Sequence, residues 1–314
     1  MTIIIIPLLI LCLTNSCATL LNSKTKRIDI ITNTPAKVTL NNQTLENVNN
    51  RTKFIALRDI RPINLSVYND SVIKNISLDA KNSFAYWMNI YPTLGLGMLV
   101  DKDKPNRYTY PGRVYIDMTN NEPKFTTYYP FYRKGSTVLN VSLPHINAFL
   151  LKPVGEDSTM SSLGFWGIKL GVNYFHNKNQ FWDLSLSAVS DFFAPFPGAI
   201  DIMGEYDLMT SIYSSFSHNH RIGRLSLGYG LSFSKNTWDH RYYDRFDAPP
   251  PLREPFKKSE YSLGFVFPAY YQLGEYFYMG LIYRPTFLKL HPETQMVYEH
   301  LISFDFAWKF NLTK

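Results

Sequence analysis

From residue 135 onward, apolar and polar side chains alternate along the chain with a period of two. In 167–174, Ile168, Leu170, Val172 and Tyr174 fall on one side, and Gly167, Lys169, Gly171 and Asn173 on the other. The same dyad runs through 225–234, with Leu225, Leu227, Tyr229, Leu231 and Phe233 opposing Ser226, Gly228, Gly230, Ser232 and Ser234. It returns in 302–312, where Ile302, Phe304, Phe306, Trp308, Phe310 and Leu312 oppose Ser303, Asp305, Ala307, Lys309 and Asn311. A period of two puts successive side chains on opposite faces, so each segment is a predicted strand. Eight such segments follow one another: 138–149, 165–175, 181–192, 203–216, 225–234, 261–273, 277–288 and 300–312. Most are near the roughly 9 to 11 residues a tilted strand needs to cross hydrocarbon. The connections 176–180, 217–224 and 274–276 are short, while 150–164, 193–202, 235–260 and 289–299 are long. Membrane barrels alternate turns and loops in that way.

The face that meets water decides the fold class. The polar face carries the strand charges Lys169, Asp183, Asp191, Glu205, Asp207, Arg284, Asp305 and Lys309. A soluble eight-strand barrel would turn that face outward and waste its glycines on solvent. The expected arrangement is the reverse, with lipid outside and these ions paired in the lumen, since an unpaired buried ion costs several kcal/mol. The fold class is therefore all-β: an eight-stranded antiparallel transmembrane β-barrel at 135–314, preceded by a small periplasmic β-sandwich. An even number of strands puts both barrel ends on one side of the membrane.

The N-terminal half reads differently. From 26 to 80, β-branched runs at 27–32, 36–40, 53–57, 62–68 and 71–78 alternate with Asn-rich turns, which predicts the antiparallel sandwich. The stretch from Phe84 to Val100 is apolar but holds Pro92, Gly95 and Gly97, so it is a poor spanning helix. A hairpin or broken helix in the membrane interface and an ordinary core segment are the two readings of it. Residues 108–134 are rich in Tyr, Pro and basic residues and read as a linker.

Composition narrows the class further. Hydrophobic residues make up 45% of the chain and charged residues 18%, below the roughly 25% charged of ordinary soluble domains. That excludes disorder, and no apolar stretch reaches 18 residues, which excludes a helical membrane protein. The net charge of +7 suits lipopolysaccharide phosphates or other anionic lipid. No basic helix points to nucleic acid.

The N-terminus carries an apolar run from Ile3 to Leu13, then Thr14-Asn15-Ser16-Cys17, which resembles a bacterial lipoprotein signal. The resemblance implies a signal peptide at 1–16 and lipidation of Cys17, which two acyl chains would hold in the bilayer. Ala18-Thr19-Leu20-Leu21 lacks the acidic pair that resembles a surface-export tag in Bacteroidota lipoproteins, which implies the inner leaflet of the outer membrane. Cys17-Ala18-Thr19 with Asn33-Thr34-Pro35-Ala36-Lys37-Val38-Thr39-Leu40-Asn41 is similar to Bacteroidota lipoproteins that carry a PEGA-like module, here 17–82, with 83–134 as the apolar segment and linker. The barrel half resembles small C-terminal barrels of Bacteroidota envelope proteins in Leu143-Pro144-His145-Ile146-Asn147, Gly164-Phe165-Trp166-Gly167 and Tyr283-Arg284-Pro285-Thr286-Phe287.

Three function classes compete. A channel is disfavoured because eight strands leave no aqueous bore. A lipid-modifying enzyme needs a nucleophile beside a base. His218 and His220 with Ser217 read as polar turn residues, and Ile302 stands where a serine would have to follow His300. The lumen carboxylates have basic partners at hand, so no metal or other cofactor is expected, and no P-loop, CxxC or HExxH occurs. The loop 235–260 is the best binding candidate, through Trp238, His240, Arg241, Tyr242, Tyr243, Arg245 and Phe246, since aromatics with Arg are favoured at binding centres. The resulting expectation is a non-catalytic outer-membrane lipoprotein whose barrel anchors a periplasmic module and displays loops to an envelope protein or glycan. The alternative is a barrel-embedded lipid-modifying enzyme.

Overall fold

A computed structural model describes residues 17–41, 43–70, 72–90, 95–119, 122–153, 155, 159–194, 204–243 and 254–313. The expected signal peptide, and Arg245 and Phe246 of the expected binding loop, lie outside the described residues. The chain divides into two compact units, 1–130 and 131–314.

The first unit opens with helix α1 (Cys17–Leu21), then β1 (Thr25–Thr32), β2 (Lys37–Leu40), β3 (Gln43–Leu45), β4 (Asn47–Val48), β5 (Arg51–Leu57), β6 (Ile63–Tyr68) and β7 (Ile73–Leu78). A pair of short strands, β8 (Lys81–Asn82) and β9 (Tyr108–Thr109), brackets helices α2 (Phe84–Trp87) and α3 (Leu96–Val100). Strands β10 (Arg113–Ile116) and β11 (Phe125–Thr126) complete it. Two sheets, ordered β11-β10-β1-β5-β4 and β3-β2-β6-β7, enclose one core built by alternate residues, among them Ile28 and Ile30 of β1, Val38 of β2, Leu65 and Val67 of β6, and Ile76 and Leu78 of β7. Each such side chain contributes roughly 1.5–3 kcal/mol on burial. Asn49 and Asn50, at φ 52° and 61°, make the two-residue turn between β4 and β5, the left-handed pair that matches the twist of a hairpin and that Asn tolerates.

The region 83–134 is more than a linker. Val114, Ile116 and Met118 belong to the sandwich core, and β10 pairs in parallel with β1 from Asp29↔Arg113 to Thr32↔Ile116. A parallel neighbour needs a long crossover, and the intervening chain from β2 to β9 provides it.

The second unit is a closed antiparallel barrel. Its strands are β12 (Thr137–Leu151), β13 (Met160–Gly164), β14 (Trp166–Asn177), β15 (Gln180–Ser190), β16 (Gly204–Ile222), β17 (Leu225–Tyr243), β18 (Phe256–Gln272), β19 (Phe277–His291) and β20 (Gln295–Asn311). Sequential neighbours pair, and β12 pairs with β20 to close the ring. Strand β13 adds to the far end of β12, from Asn147↔Gly164 to Leu151↔Met160, and the other eight form the wall. All eight predicted segments are present. The strands outrun them at one end: 235–243 and 256–260 are strand and not loop, and 289–299 closes to a three-residue turn at 292–294. The expected turn 217–224 is likewise strand as far as Ile222.

Candidate functional site

The barrel wall has three levels, set by which face is apolar. In the middle level β17 points Leu225, Leu227, Tyr229, Leu231 and Phe233 outward, 37–55% exposed. Its inward Ser226, Ser232 and Ser234 are buried. On β14, Ile168, Leu170, Val172 and Tyr174 stand outward, while Lys169 and Asn173 are 3% and 1% exposed. The outward positions of 137–150, 166–174, 182–188, 212–222, 225–233, 261–271, 277–287 and 300–310 include no Asp, Glu, Lys or Arg among the described residues. Glycine lets the ring close tightly: a Cβ on Gly230 would collide with the Phe216 carbonyl oxygen, and one on Gly264 with that of Pro285.

Above this belt the faces exchange character. Past Phe233 the outward residues of β17 become Lys235, Thr237, Asp239 and Arg241, and their neighbours on β18 are Tyr261, Ser259 and Lys257. Inward, Trp238 joins Phe149, Leu151, Val189, Met209 and Leu301 in an apolar core. The inversion is the response of one wall to two solvents, hydrocarbon below and water above.

Buried ions occupy the belt's interior. Lys169 lies 3.7 Å from Asp183 and donates to the Tyr270 hydroxyl at 3.3 Å, which donates in turn to the Asp305 carboxylate. The Lys309 ammonium sits 4.7 Å from the ring centres of both Tyr270 and Tyr278. Arg284 stacks over Tyr213 at 4.7 Å and donates to Ser303 at 3.1 Å and Ser187 at 3.4 Å. Lys169 and Asp183 thus meet as a pair, whereas Lys309 and Arg284 are held largely by aromatic faces and hydroxyls. At the turn end Tyr132 stacks on Phe175 at 4.3 Å, its hydroxyl meets that of Tyr278 at 2.9 Å, and Arg221 covers its ring at 4.8 Å.

The remaining expected lumen charges sit elsewhere. Asp191 lies beyond the end of β15 and accepts from the Met209 backbone at 2.7 Å. Glu205 and Asp207 are at the loop end, where Asp207 accepts from His240 Nδ1 at 2.8 Å and Trp238 Nε1 at 2.9 Å, and Glu205 is 3.9 Å from His240 Nε2. They are not lumen ion pairs, because β16 continues above the belt. The expected binding loop is divided for the same reason. Trp238 and His240 turn inward on β17 and are buried, while Arg241 turns outward and pairs with Asp239 at 2.5 Å. Tyr242 follows on the inward face and Tyr243 on the outward face, 53% exposed.

Two clusters escaped the sequence reading. Lys289, buried, reaches Glu260 at 2.7 Å and Glu299 at 2.8 Å, and the Lys152 backbone also donates to Glu299. These three fell in expected loops; Glu260 and Glu299 continue the inward phase of their strands, which was the available signal, whereas Lys289 is turned inward by a bulge after Thr286 that the alternation does not mark. On the outer wall near the turn end, His176 and His218 approach at 3.0 Å between their Nε2 atoms and pack against Trp182. His218 and His220 therefore lie in β16, not in a turn. No group of three or more His, Cys, Asp or Glu that could hold a metal occurs among the described residues.

His240 and Asp207 form the only half of a catalytic triad found at the loop end among the described residues. The outer nitrogen, Nε2, is buried without a hydrogen-bond partner, so no serine hydroxyl completes it.

The fold and its faces define the class: an eight-stranded antiparallel barrel, greasy outside and ionic inside, joined to a β-sandwich. No protein-family profile matches the chain, and no curated protein sequence does. Among solved structures it is similar to Ail, the attachment invasion locus protein of Yersinia pestis, at TM-score 0.36 and 12% identity over 56% of this chain and 99% of that one. It is similar to Neisserial surface protein A at TM-score 0.34 and 12% identity, over 57% of this chain and 98% of that one. The outer membrane protein OprG from Pseudomonas aeruginosa matches at TM-score 0.29 and 11% identity, over 57% and 97%.

Proposed function

We propose that this chain is a non-catalytic outer-membrane lipoprotein, its barrel set in the bilayer and its sandwich held in the periplasm by acyl chains on Cys17. The observation that carries the reading is the charge-free outward belt wrapped around buried Lys169, Asp183, Arg284, Asp305 and Lys309. Only a hydrocarbon surround makes that distribution favourable, because in water it would expose grease and bury ions together. The barrel then serves as an anchor and as a platform for its loop end. There Lys235 and Lys257 point outward just above the belt, at the depth of lipopolysaccharide phosphates, which they would bind as cations. The loop end would face an envelope protein or glycan. The sandwich fits the role of a PEGA-like module, as in the Bacteroidota lipoproteins the sequence resembles.

The His240–Asp207 dyad favours a second reading, a lipid-modifying barrel enzyme. That reading requires a hydroxyl on His240 Nε2, and no described residue supplies one.

Expression in a Gram-negative host tests the first reading. Radiolabelled palmitate should enter the wild-type chain and not Cys17→Ser, and both should fractionate with the outer membrane. Equal labelling of the two, or recovery in the soluble periplasm, would overturn it.

A further inference from the structure

We infer that α1, α2 and α3 form a membrane-docking platform that seats the lipid-bearing N-terminus flat on an anionic leaflet, an inference that rests on the reading of Cys17 as acylated. The three short helices are built around one buried carboxylate. Asp101, fully buried, accepts from the Ala18 backbone at 3.2 Å, the Thr19 hydroxyl at 2.7 Å and the Asn89 amide at 3.1 Å. Ala18, Ala85, Tyr86 and Met98 pack together beneath them, and Asn22 is tied to Ser83 and Asn106 at 2.8 Å each. The residue that follows the acylation site is thus fixed in position, where a free tail would be the default for a lipid tether.

The platform exposes large apolar side chains. Leu21 is 69% exposed, Phe84 78%, Trp87 51%, Ile90 52%, Leu96 58% and Leu99 71%. So many large apolar side chains in and beside three short helices mark an interaction surface, and the mixture of Trp with aliphatic residues suits the depth of lipid headgroups. Charge identifies the occupant as lipid. Lys24 follows α1 and Lys102 follows α3, both exposed, and half-buried Arg107 lies close behind; Asp101 is offset by Lys104 at 4.0 Å, which leaves Asp103 as the exposed acid of that stretch. Basic residues around an apolar patch match an anionic bilayer surface. The acyl chains on Cys17 enter the same bilayer from one end of the same helix, so anchor and patch act together as two signals.

The experiment uses the full chain, acylated in cells and reconstituted in vesicles of phosphatidylethanolamine and phosphatidylglycerol. Nitroxides are placed singly at Phe84→Cys, Leu96→Cys and Leu99→Cys, with Ser77→Cys on exposed β7 as the aqueous reference. All four replace exposed side chains, so the fold is kept. The expected result is a ratio of oxygen to nickel-complex accessibility several-fold higher at the three patch positions than at Ser77→Cys. Equal ratios, with mass spectrometry confirming the acyl chains, would overturn the platform and leave the lipoprotein reading standing. Protection from both quenchers would also overturn it, since a protein and not lipid would then cover the patch. A lipid-like ratio on a chain that proves unacylated would uphold the platform and sink the lipid anchor.

Discussion

Leu231→Arg in the middle level of β17 distinguishes a hydrocarbon surround from water. From Leu225 to Phe233 the strand makes eight steps of about 3.3 Å which, tilted about 40°, rise about 20 Å, close to the apolar band of a thin bilayer. Leu231 is 51% exposed and lies well inside that band. In water, a half-exposed surface Leu changed to Arg shifts stability by no more than about 0.5 kcal/mol. In hydrocarbon the cost is about 2–4 kcal/mol at the midplane and falls toward the interface; for Leu231, two steps above the midpoint, about 1–3 kcal/mol is expected, which lowers the folding equilibrium constant about 5-fold to 150-fold. Thr237→Arg, on the same outward face but above the belt, should cost under about 0.5 kcal/mol in either surround. Urea unfolding in phosphatidylcholine vesicles, followed by tryptophan emission and by gel mobility without heating, measures both. A loss for Leu231→Arg no larger than that for Thr237→Arg would mean that water, not hydrocarbon, surrounds the belt.

Four further outcomes follow from the same geometry. Lys289→Ala leaves Glu260 and Glu299 facing each other without their shared cation, so urea unfolding should show a loss of about 3–5 kcal/mol, partly restored by adding Glu299→Gln. Gly230→Ala forces a methyl onto the Phe216 carbonyl and should cost about 1–3 kcal/mol in the same assay. Single-channel recording in planar bilayers should show no steady conductance, because Tyr132, Lys169, Tyr270, Arg284 and Lys309 fill the interior; a stable open level would contradict the packing. In the sandwich, burial pushes the Lys74 ammonium below the usual lysine range against the opposing pull of Asp117 and Glu122. The unfolded chain then binds more protons between the two values, so the unit should gain stability as pH rises toward the ordinary lysine range. Lys74→Met should flatten that rise in thermal melts from pH 7 to 10.5.

The wall was legible wherever one physical rule governed a strand. Period two with grease on a single face located all eight strands and set the right faces for Leu227, Phe304 and Lys169, because hydrocarbon outside and ions inside act on every residue of the belt alike. The same rule misplaced the upper ends. Above Phe233 the apolar residues Trp238 and Met209 turn inward and Lys235 outward, so the pattern inverts and looks like a loop although the strand continues. That inversion ended the predicted strands early, so inward-facing Glu260, Lys289 and Glu299 fell in expected loops, while Glu205 and Asp207 stand at the loop end beside His240. In the sandwich, the pairing of β10 with β1 left no local trace, since a parallel partner 84 residues away is fixed by the crossover and by core packing at Val114 and Ile116. Nor does the sequence mark that Asp101 gathers Ala18, Thr19 and Asn89, contacts that arise only when three short helices meet.

Which side of the wall touches acyl chains can be read from two native tryptophans. Trp308 faces outward in the belt on β20, and Trp238 faces inward above it on β17. Single-tryptophan variants keeping one or the other, reconstituted in vesicles of brominated phosphatidylcholine, report contact with lipid directly. Strong quenching of Trp308 and unchanged emission from Trp238 are expected. Quenching of Trp238 with Trp308 untouched, or of neither, would contradict a lipid-facing outer wall.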